Sequence, residues 1–534
     1  MISHKSWLWL YFIFSILLFR PGTALHSQEV PHPVSNTGVY EFLDELAGSQ
    51  VIDVLSSVKP WSRLYIAHLL KEAESKREFL NIRQQKELDF YLLDFGKELT
   101  TGKNWNRRLD LFYYSDSLFS VTVNPVLGGE IFANSSGKAT YLRNGVEARA
   151  YIQRWGFYAS LRDNHEKPLL GRPAYLTKRE GGHIKNGTDW SEMQGGVTWS
   201  WKWGNAGLVK DRLQWGDNYN GSNIFSGTNP TFVQLRLNLK PVKWFIFNYY
   251  HGWLNSMVVD SSRSYWINNS YGAKYRSVYH KKYIAANMFS FIPVKHLSVS
   301  LGNSIIYTDK HFNPAYIIPL FFYKSVDHSQ TSGVDNMNSQ MFLDISSRNI
   351  RNLHLFVVLF VDELSVSRFT KRDEWNFFSW KTGLRLGNFP VDNLFLTTEF
   401  TYSYPLTYQH YVTTLTFEQT NYNLGHYLKD NSREWYLALN YRPYRALDIN
   451  LFFLDAVRGP DYSEAGGSRV GNPPLESVEW HNTSYGLKAL FQIKNDLYSW
   501  LDITKSNIKG DERWSPEFLY GNKTTVNFGI TVGF

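Results

Sequence analysis

Beyond residue 108 the apolar and polar residues alternate with a period of two, and the alternation persists to the end of the chain. At the C-terminus Val526, Phe528, Ile530, Val532 and Phe534 fall on one face, and Thr525, Asn527, Gly529, Thr531 and Gly533 on the other. The same pattern sets Val233, Leu235, Leu237 and Leu239 against Gln234, Arg236 and Asn238, and Leu142, Val146, Ala148 and Ala150 against Arg143, Glu147 and Arg149. In a further segment Val197, Trp199, Trp201 and Trp203 alternate with Thr198, Ser200 and Lys202. One face suits lipid and the other suits water. An antiparallel sheet over a soluble core also alternates, but roughly eighteen such segments are hard to stack as sandwiches and predict an all-β membrane barrel.

The turns give the strand count. Short connections near Arg154, Asn205, Pro241, Pro293, Arg348, Pro390, Pro443 and Asn495, assigned to the periplasmic side, join sixteen strands. A first strand near 118–133 and a last near 524–534 bring the total to about eighteen, the even parity expected of a barrel with both ends in the periplasm. Several intervening connections are long, among them 163–192, 308–340 and 457–481, and are rich in Gly, Asn, Ser and charge. The stretch Tyr411 to Glu418 alternates well yet falls inside a connection, so as a wall strand it changes the count.

Upstream, the period is helical. Ile66, Leu69, Leu70 and Ala73 recur at i, i+3, i+4 and i+7, as do Leu88, Tyr91, Leu92 and Phe95; a third short helix covers Val39 to Leu46. Pro60 is expected as the first helical residue of the Ile66 helix, where its missing N–H has no partner to lose. Three such helices form a bundle whose narrow apolar face needs a larger surface to pack on. Ahead of them His4 and Lys5 precede the apolar run Trp7 to Phe19, and Arg20, Pro21 and Gly22 break it before the small residues Ala24 and Ser27. This is the pattern of a cleaved secretory signal peptide. The predicted organisation is therefore 1–27 signal peptide, 28–107 periplasmic helical bundle and 108–534 outer-membrane β-barrel.

Composition sharpens this reading. Aromatic residues make up 17% of the chain while mean hydropathy is −0.35, a pairing that fits polar–apolar strands with aromatic girdles. The Trp7 to Phe19 run is shorter than the ~20 residues a spanning helix needs, which excludes a helical membrane bundle. The absence of Cys excludes a disulfide scaffold, a thiol nucleophile, a cysteine-ligated metal and lipoprotein anchoring. Removing 1–27 takes away Lys5 and Arg20 and lowers the net charge from +8 to +6. Nucleic acid is not a sensible partner for an exported chain; an acidic polysaccharide or a lipid head group is.

Candidate chemistry is sparse. Phe528, Ile530, Val532 and terminal Phe534 form the pattern read by the outer-membrane barrel insertion machinery. Asp362 follows the outward series Leu353, Leu355, Val357, Leu359 and Val361, so it points into the mouth of the barrel. Its neighbour Glu363 points to the opposite face, so the pair does not flank one glycosidic bond; sugar hydroxyls or a rim ion pair are the readings left. Arg143, Glu147, Arg149, Arg162, Lys202, Arg236 and Glu399 fall on inward positions and are expected either to contact polymer or, preferably, to pair within the bore. His410 and His426 share one connection, but no third ligand stands at a metal-site spacing, so no metal and no cofactor is expected.

Several landmarks stand in a consistent order along the chain. They begin with Tyr40-Glu41-Phe42-Leu43-Asp44-Glu45-Leu46, Lys59-Pro60-Trp61-Ser62-Arg63 and Leu69-Leu70-Lys71-Glu72-Ala73. They continue through Asn313-Pro314-Ala315-Tyr316-Ile317-Ile318-Pro319-Leu320, Asp335-Asn336, Val361-Asp362-Glu363, Glu399-Phe400-Thr401, Pro405, Tyr408, His410 and Leu424-Gly425-His426. This ordered set resembles the Wzi-type capsule-assembly outer-membrane protein family. The resemblance implies an eighteen-stranded barrel with a periplasmic helical bundle and a lectin-like role in holding capsular polysaccharide at the surface of a Gram-negative cell. Together, residues and resemblance predict a non-enzymatic outer-membrane protein whose partners are surface polysaccharide, outer-membrane lipid and the insertion machinery. Asp362, Glu363, Glu399, Tyr408, His410 and His426 are its candidate sugar-binding residues. The competing expectation is a porin or polysaccharide-conducting channel, since a barrel of this size has an aqueous lumen unless plugged.

Overall fold

A computed structural model describes residues 29–99, 107–184, 187–270, 272–308, 312–330, 336–462 and 469–533. Residues 1–28, which hold the expected signal peptide, and Phe534 lie outside them. Eighteen antiparallel strands, numbered along the chain from β1 (Phe119–Asn134) to β18 (Gly521–Val532), close into one barrel. The last strand pairs with the first, Phe528 opposite Ile131 and Val532 opposite Leu127, so no long strand edge is left unpaired. A four-residue strand, Phe112–Ser115, extends the seam along β1. Leu127, Leu142, Val146, Leu161, Leu208, Val357, Leu451 and Phe528 are exposed on the outer wall, where lipid replaces water as the solvent of apolar side chains.

All eight short turns join strands at the expected places, and the nine opposite connections carry the long loops, although the one between β1 and β2 (Gly137–Ile152) is only Ser135-Ser136. Tyr411 to Glu418 is not a wall strand. It holds the single turn Thr413–Leu415 and starts the small hairpin Glu418–Gln419 with Tyr422–Asn423, inside the connection from β13 (Leu394–Ser403) to β14 (Ser432–Tyr444). Lys202 is likewise not an inward wall position. It lies exposed in the turn after β4 (Asp189–Trp201).

The helices α1 (Gly38–Gly48), α2 (Arg63–Glu74) and α3 (Ile82–Phe95) form where the 3.6-residue period stood. Helix α2 begins later than expected. Arg63, not Pro60, is its first residue, and Ser62 is its N-cap, accepting from the Tyr65 backbone N–H at 3.1 Å. Asn81 and Gln84 make a reciprocal capping box on α3. Phe42, Leu43, Leu46, Ile66, Leu70, Ala73 and Leu88 build a closed apolar core, and the larger surface this bundle requires is the short-turn end of the barrel. Gly48 O accepts from Asn352 N at 2.7 Å, the Gln50 amide donates to Arg348 O at 2.8 Å, and Asn495 donates to Phe90 O at 3.1 Å.

One long connection departs from the expected outer-loop geometry. After β9 (Leu297–Thr308) the segment 312–330, which carries Asn313-Pro314-Ala315-Tyr316 and the helix α4 (Tyr323–Gln330), lies against the outside of the barrel wall. It covers outward Phe247, Tyr249, Tyr283, Ala285, Ile305 and Tyr307. Asn287 and Asn303, opposite each other on that wall, are satisfied by it. Asn287 donates to Pro319 O at 2.8 Å and Phe321 O at 3.0 Å, and Asn303 Oδ1 accepts from Tyr323 N at 3.0 Å.

Candidate functional site

The bore is occupied from both ends. From the loop end, the connection 212–231 descends between β5 (Gly204–Asp211) and β6 (Phe232–Val242). From the turn end, Val58–Lys59 rises to meet it, and Gln214–Trp215 pairs with Val58–Lys59 on one side and Phe225–Ser226 on the other. This three-stranded sheet stands on an apolar floor made of Trp215, Phe225, Tyr250, Ile284, Met288, Phe342, Phe356 and Phe360. Trp215 meets the rings of Phe225 and Tyr250 edge to face at 5.3 and 5.4 Å, a contact that adds to simple area burial.

The opposite side of the bore is polar and centres on two buried carboxylates. Glu399, on β13, pairs with Lys381 at 2.8 Å and accepts the backbone N–H groups of Tyr219 and Asn220. Glu434, on β14, accepts from the Asn220 amide at 2.9 Å and from the Tyr427 hydroxyl. Both are charges withdrawn from water and held by several donors at once, the condition under which a buried carboxylate is tolerated. They fix the tip of 212–231 to the wall. Other inward charges follow the same logic: Arg149 reaches Asp94 of α3 at 3.3 Å, Arg236 reaches Asp211 at 3.4 Å, and Arg162 stands 3.8 Å from Glu180.

The sequence-derived site residues divide by depth. Glu399, Tyr408 and His426 are fully buried. The Tyr408 hydroxyl donates to Asn223 O at 2.7 Å, and its ring packs on Phe360 at 4.5 Å. His426 faces Glu434 with Nε2 3.7 Å from Oε1; burial lowers the His426 pKa more than that carboxylate raises it. Asp362 points into the mouth, where it accepts the Tyr408 N–H at 2.8 Å. Glu363 is ion-paired with Arg368 at the rim. His410 stacks on Tyr411 at 4.4 Å, and the Tyr411 ring is 57% exposed. The structure thus brings Asp362 and Tyr408 together, and Glu399 close to the His426–Glu434 pair through Asn220, but leaves Glu363 and His410 on the outer rim.

A rim feature escaped the sequence reading. The hairpin Tyr265–Asn269 with Gly272–Arg276 stands in the connection from β7 (Phe245–Val259) to β8 (Tyr279–Val294). It holds Trp266, 67% exposed, against Tyr275 at 5.3 Å, with Lys274 and Arg276 exposed beside them. The signal was present as a short aromatic and β-branched run, Tyr265-Trp266-Ile267, before a turn rich in Asn, Ser and Gly. Flat aromatic faces flanked by hydrogen-bond donors and cations suit the apolar face and hydroxyls of a pyranose, and an acidic one in particular.

No protein-family model matches the chain, and no curated protein matches it in sequence. In fold it is similar to Wzi of Escherichia coli, described as an outer-membrane protein involved in group 1 capsule assembly and a carbohydrate-binding β-barrel. The TM-score is 0.58 at 13% identity, covering 95% of this chain and 100% of that one. Pseudomonas aeruginosa OccD3 (OpdP) aligns over 77% of this chain and 90% of its own at TM-score 0.42 and 12% identity. The outer membrane protein OprD of the same organism aligns over 77% and 92% at TM-score 0.42 and 9% identity. The likeness to Wzi is one of fold, a closed antiparallel β-barrel, which in this chain has eighteen strands.

Proposed function

We propose that this protein is an outer-membrane barrel that binds and organises surface polysaccharide by its loop end, as a lectin-like attachment point for a capsule-type polymer. The observation that carries the reading is the doubly filled bore. A wall of eighteen strands encloses room for an aqueous channel, yet here an apolar core, a three-stranded sheet and a helical bundle occupy that room. Passage of a polymer would require all three to leave, whereas surface binding requires none of them to move. The exposed rings of Trp266, Tyr275 and Tyr411, with Lys274, Arg276 and the Glu363–Arg368 pair, supply stacking platforms and polar partners on the rim. Of the interior residues, Glu399, Tyr408 and His426 serve binding by holding the loops that carry the rim, and Asp362 does so through Tyr408. Export by the signal peptide, insertion by the barrel machinery and contact with outer-membrane lipid belong to the same reading. The carbohydrate-binding neighbour in fold supports it.

The test is retention. Purified protein in detergent should bind the host's own surface polysaccharide, and loss of the gene should leave polymer made but shed into the medium. Polymer trapped in the periplasm, or impaired uptake of a small solute with no detectable binding of any envelope polysaccharide, would replace this reading with a channel.

A further inference from the structure

A recess opens at the short-turn end of the molecule. Between α2 and the wall strands β4 to β8 lies a cavity of about 730 Å3, within the ~300–1,000 Å3 typical of small-ligand pockets. Lys202, Lys240, Lys243 and Lys295 line it, and all four are exposed near the short turns. Three carboxylates share the lining, and each is engaged. Asp53 pairs with His296 at 2.7 Å and Glu72 with Lys76 at 2.8 Å. Glu29 accepts from the Asn205 amide, and its burial pushes its pKa up to about 7. Among the described residues none of the four lysines makes an ion pair. Lys240 instead sits over the Tyr65 ring at 4.6 Å.

The rest of the lining is aromatic and hydroxyl-matching. Trp203 and Trp244, each about half exposed, contribute rings beside Trp201 and Tyr65. Asn238, Asn248 and Ser290, on the inner wall, and Ser62, on the plug, bring amides and hydroxyls to the same space.

We propose that this turn-end cavity binds a carboxylate-bearing saccharide of a few sugar units. The lysines meet the carboxylates, the tryptophan and tyrosine rings take the apolar sugar faces, and the Asn and Ser side chains take the hydroxyls. A lipid head group shares the negative charge, but Asn238 and Asn248 belong to the inner wall, where acyl chains have no route. The site is separate from the loop-end surface and stands whether or not that surface binds polymer. The saccharide's source is either an acidic surface polymer at the periplasmic face or cell-wall fragments whose muramic acid carboxyl is free of its peptide.

Trigalacturonic acid, the N-acetylglucosaminyl–N-acetylmuramic acid disaccharide and neutral maltotriose should be titrated into full-length protein in neutral detergent, read by tryptophan fluorescence and calorimetry. Saturable binding of at least one acidic saccharide is expected, with maltotriose about tenfold or more weaker, and the acidic ligand that binds identifies the source. The double variant Lys243→Glu/Lys295→Glu, checked for correct folding by its gel shift on boiling, should lose about tenfold in affinity, and raised salt should mimic that loss. In a Trp266→Ala/Tyr411→Ala background, which removes the loop-end platforms, binding of the acidic saccharide should persist and should still fall about tenfold on adding Lys243→Glu/Lys295→Glu. The inference is overturned by no binding of either acidic saccharide, by equal binding of maltotriose, by a charge-reversed variant that binds as the wild type, or by competition from phosphatidylglycerol micelles alone.

Discussion

The hydroxyl of Tyr219 donates to Asp44 Oδ2 at 2.8 Å, joining a loop that enters the bore from one end to a helix that enters from the other. Arg348 holds the second carboxylate oxygen of Asp44 at 2.6 Å, and Arg385 stands 3.6 Å away. Asp44 is thus the point where wall, loop and helical plug meet. Asp44→Ala should destabilise the protein by about 3–5 kcal/mol, because it strands buried guanidinium groups without a counter-charge. Tyr219→Phe should cost about 1–3 kcal/mol, the value of one hydrogen bond to a charged acceptor. Urea unfolding of the detergent-solubilised protein measures both, and changes under about 0.5 kcal/mol for both variants would mean that plug and loop are not coupled through this contact.

The same aspartate shapes the acid limb of stability. Burial alone raises its pKa, but Arg348, His354 and Arg385 together outweigh burial and hold the carboxyl below its ordinary range. A carboxylate whose folded pKa is depressed stabilises the protein above its unfolded value of about 3.9, and that contribution drains away as pH falls toward the folded value. Glu29 has the opposite sign. Burial raises it from 4.5 to about 7, so its contribution is present below its unfolded pKa and is lost as pH climbs to 7. Asp44→Asn should therefore flatten the stability profile below about pH 4, and Glu29→Gln should flatten it between about pH 5 and 7. Profiles parallel to wild type in both windows would show that neither group titrates on unfolding.

The wall was readable because its information is local. Phe528 and Ile530 face lipid for the same reason that they sit two apart, and each strand repeats that rule independently of its neighbours. The helices were readable on the same terms, save for Pro60, which precedes the Ser62 cap. What fills the bore was not. The pairing of Lys59 with Gln214 joins two strands of two residues each, too short to leave a period. Glu399 was placed inward by parity alone, but its partners Tyr219 and Asn220 come from a loop whose path the sequence does not encode in any window. The segment 312–330 misled for a related reason. Its length and composition read as an outer loop, whereas Asn287 and Asn303 on the wall supply the donors and acceptors that hold it to the barrel's outside.

That attachment is testable at Asn287. Its register opposite Tyr249 and Asn303 places it on the outer face, and its amide is the donor shared by Pro319 O and Phe321 O. Asn287→Leu removes the donor and leaves two carbonyls facing apolar surroundings, at a cost of about 1–3 kcal/mol. The readout is proteolysis of protein in liposomes. Cleavage within 312–330 should become faster in the variant, while the barrel strands stay resistant. Equal cleavage rates would show that the segment is held by other contacts.

Closure of the wall makes a separate forecast for assembly. Eighteen paired strands resist detergent until boiled, so unboiled protein should run at a different gel mobility from boiled protein. The alternating face of Val526, Phe528 and Ile530 is exposed outward on β18, and Phe534 continues its parity. Deleting Phe534 should lower the amount of heat-modifiable protein in the outer-membrane fraction without altering the chemistry of the bore. Wild-type amounts of the deletion variant would remove the case for an insertion signal.

The filled bore also fixes what planar bilayers should record. The Tyr219 and Asn220 N–H groups donating to Glu399, the Tyr219 hydroxyl on Asp44 and the strand contact at Val58 and Trp215 are three attachments of the 212–231 loop, so releasing one leaves two. Wild-type protein should therefore show little steady current, and Tyr219→Phe should stay close to it. Replacing residues 214–226 with a short Gly/Ser linker removes the loop half of the plug and breaks all three attachments together. Current should then rise well above wild type, because a barrel of this strand number is wide enough to conduct once emptied. Large, stable conductance in the unmodified protein would mean that the plug leaves the bore in a bilayer, and the argument for surface binding over passage would lose its footing.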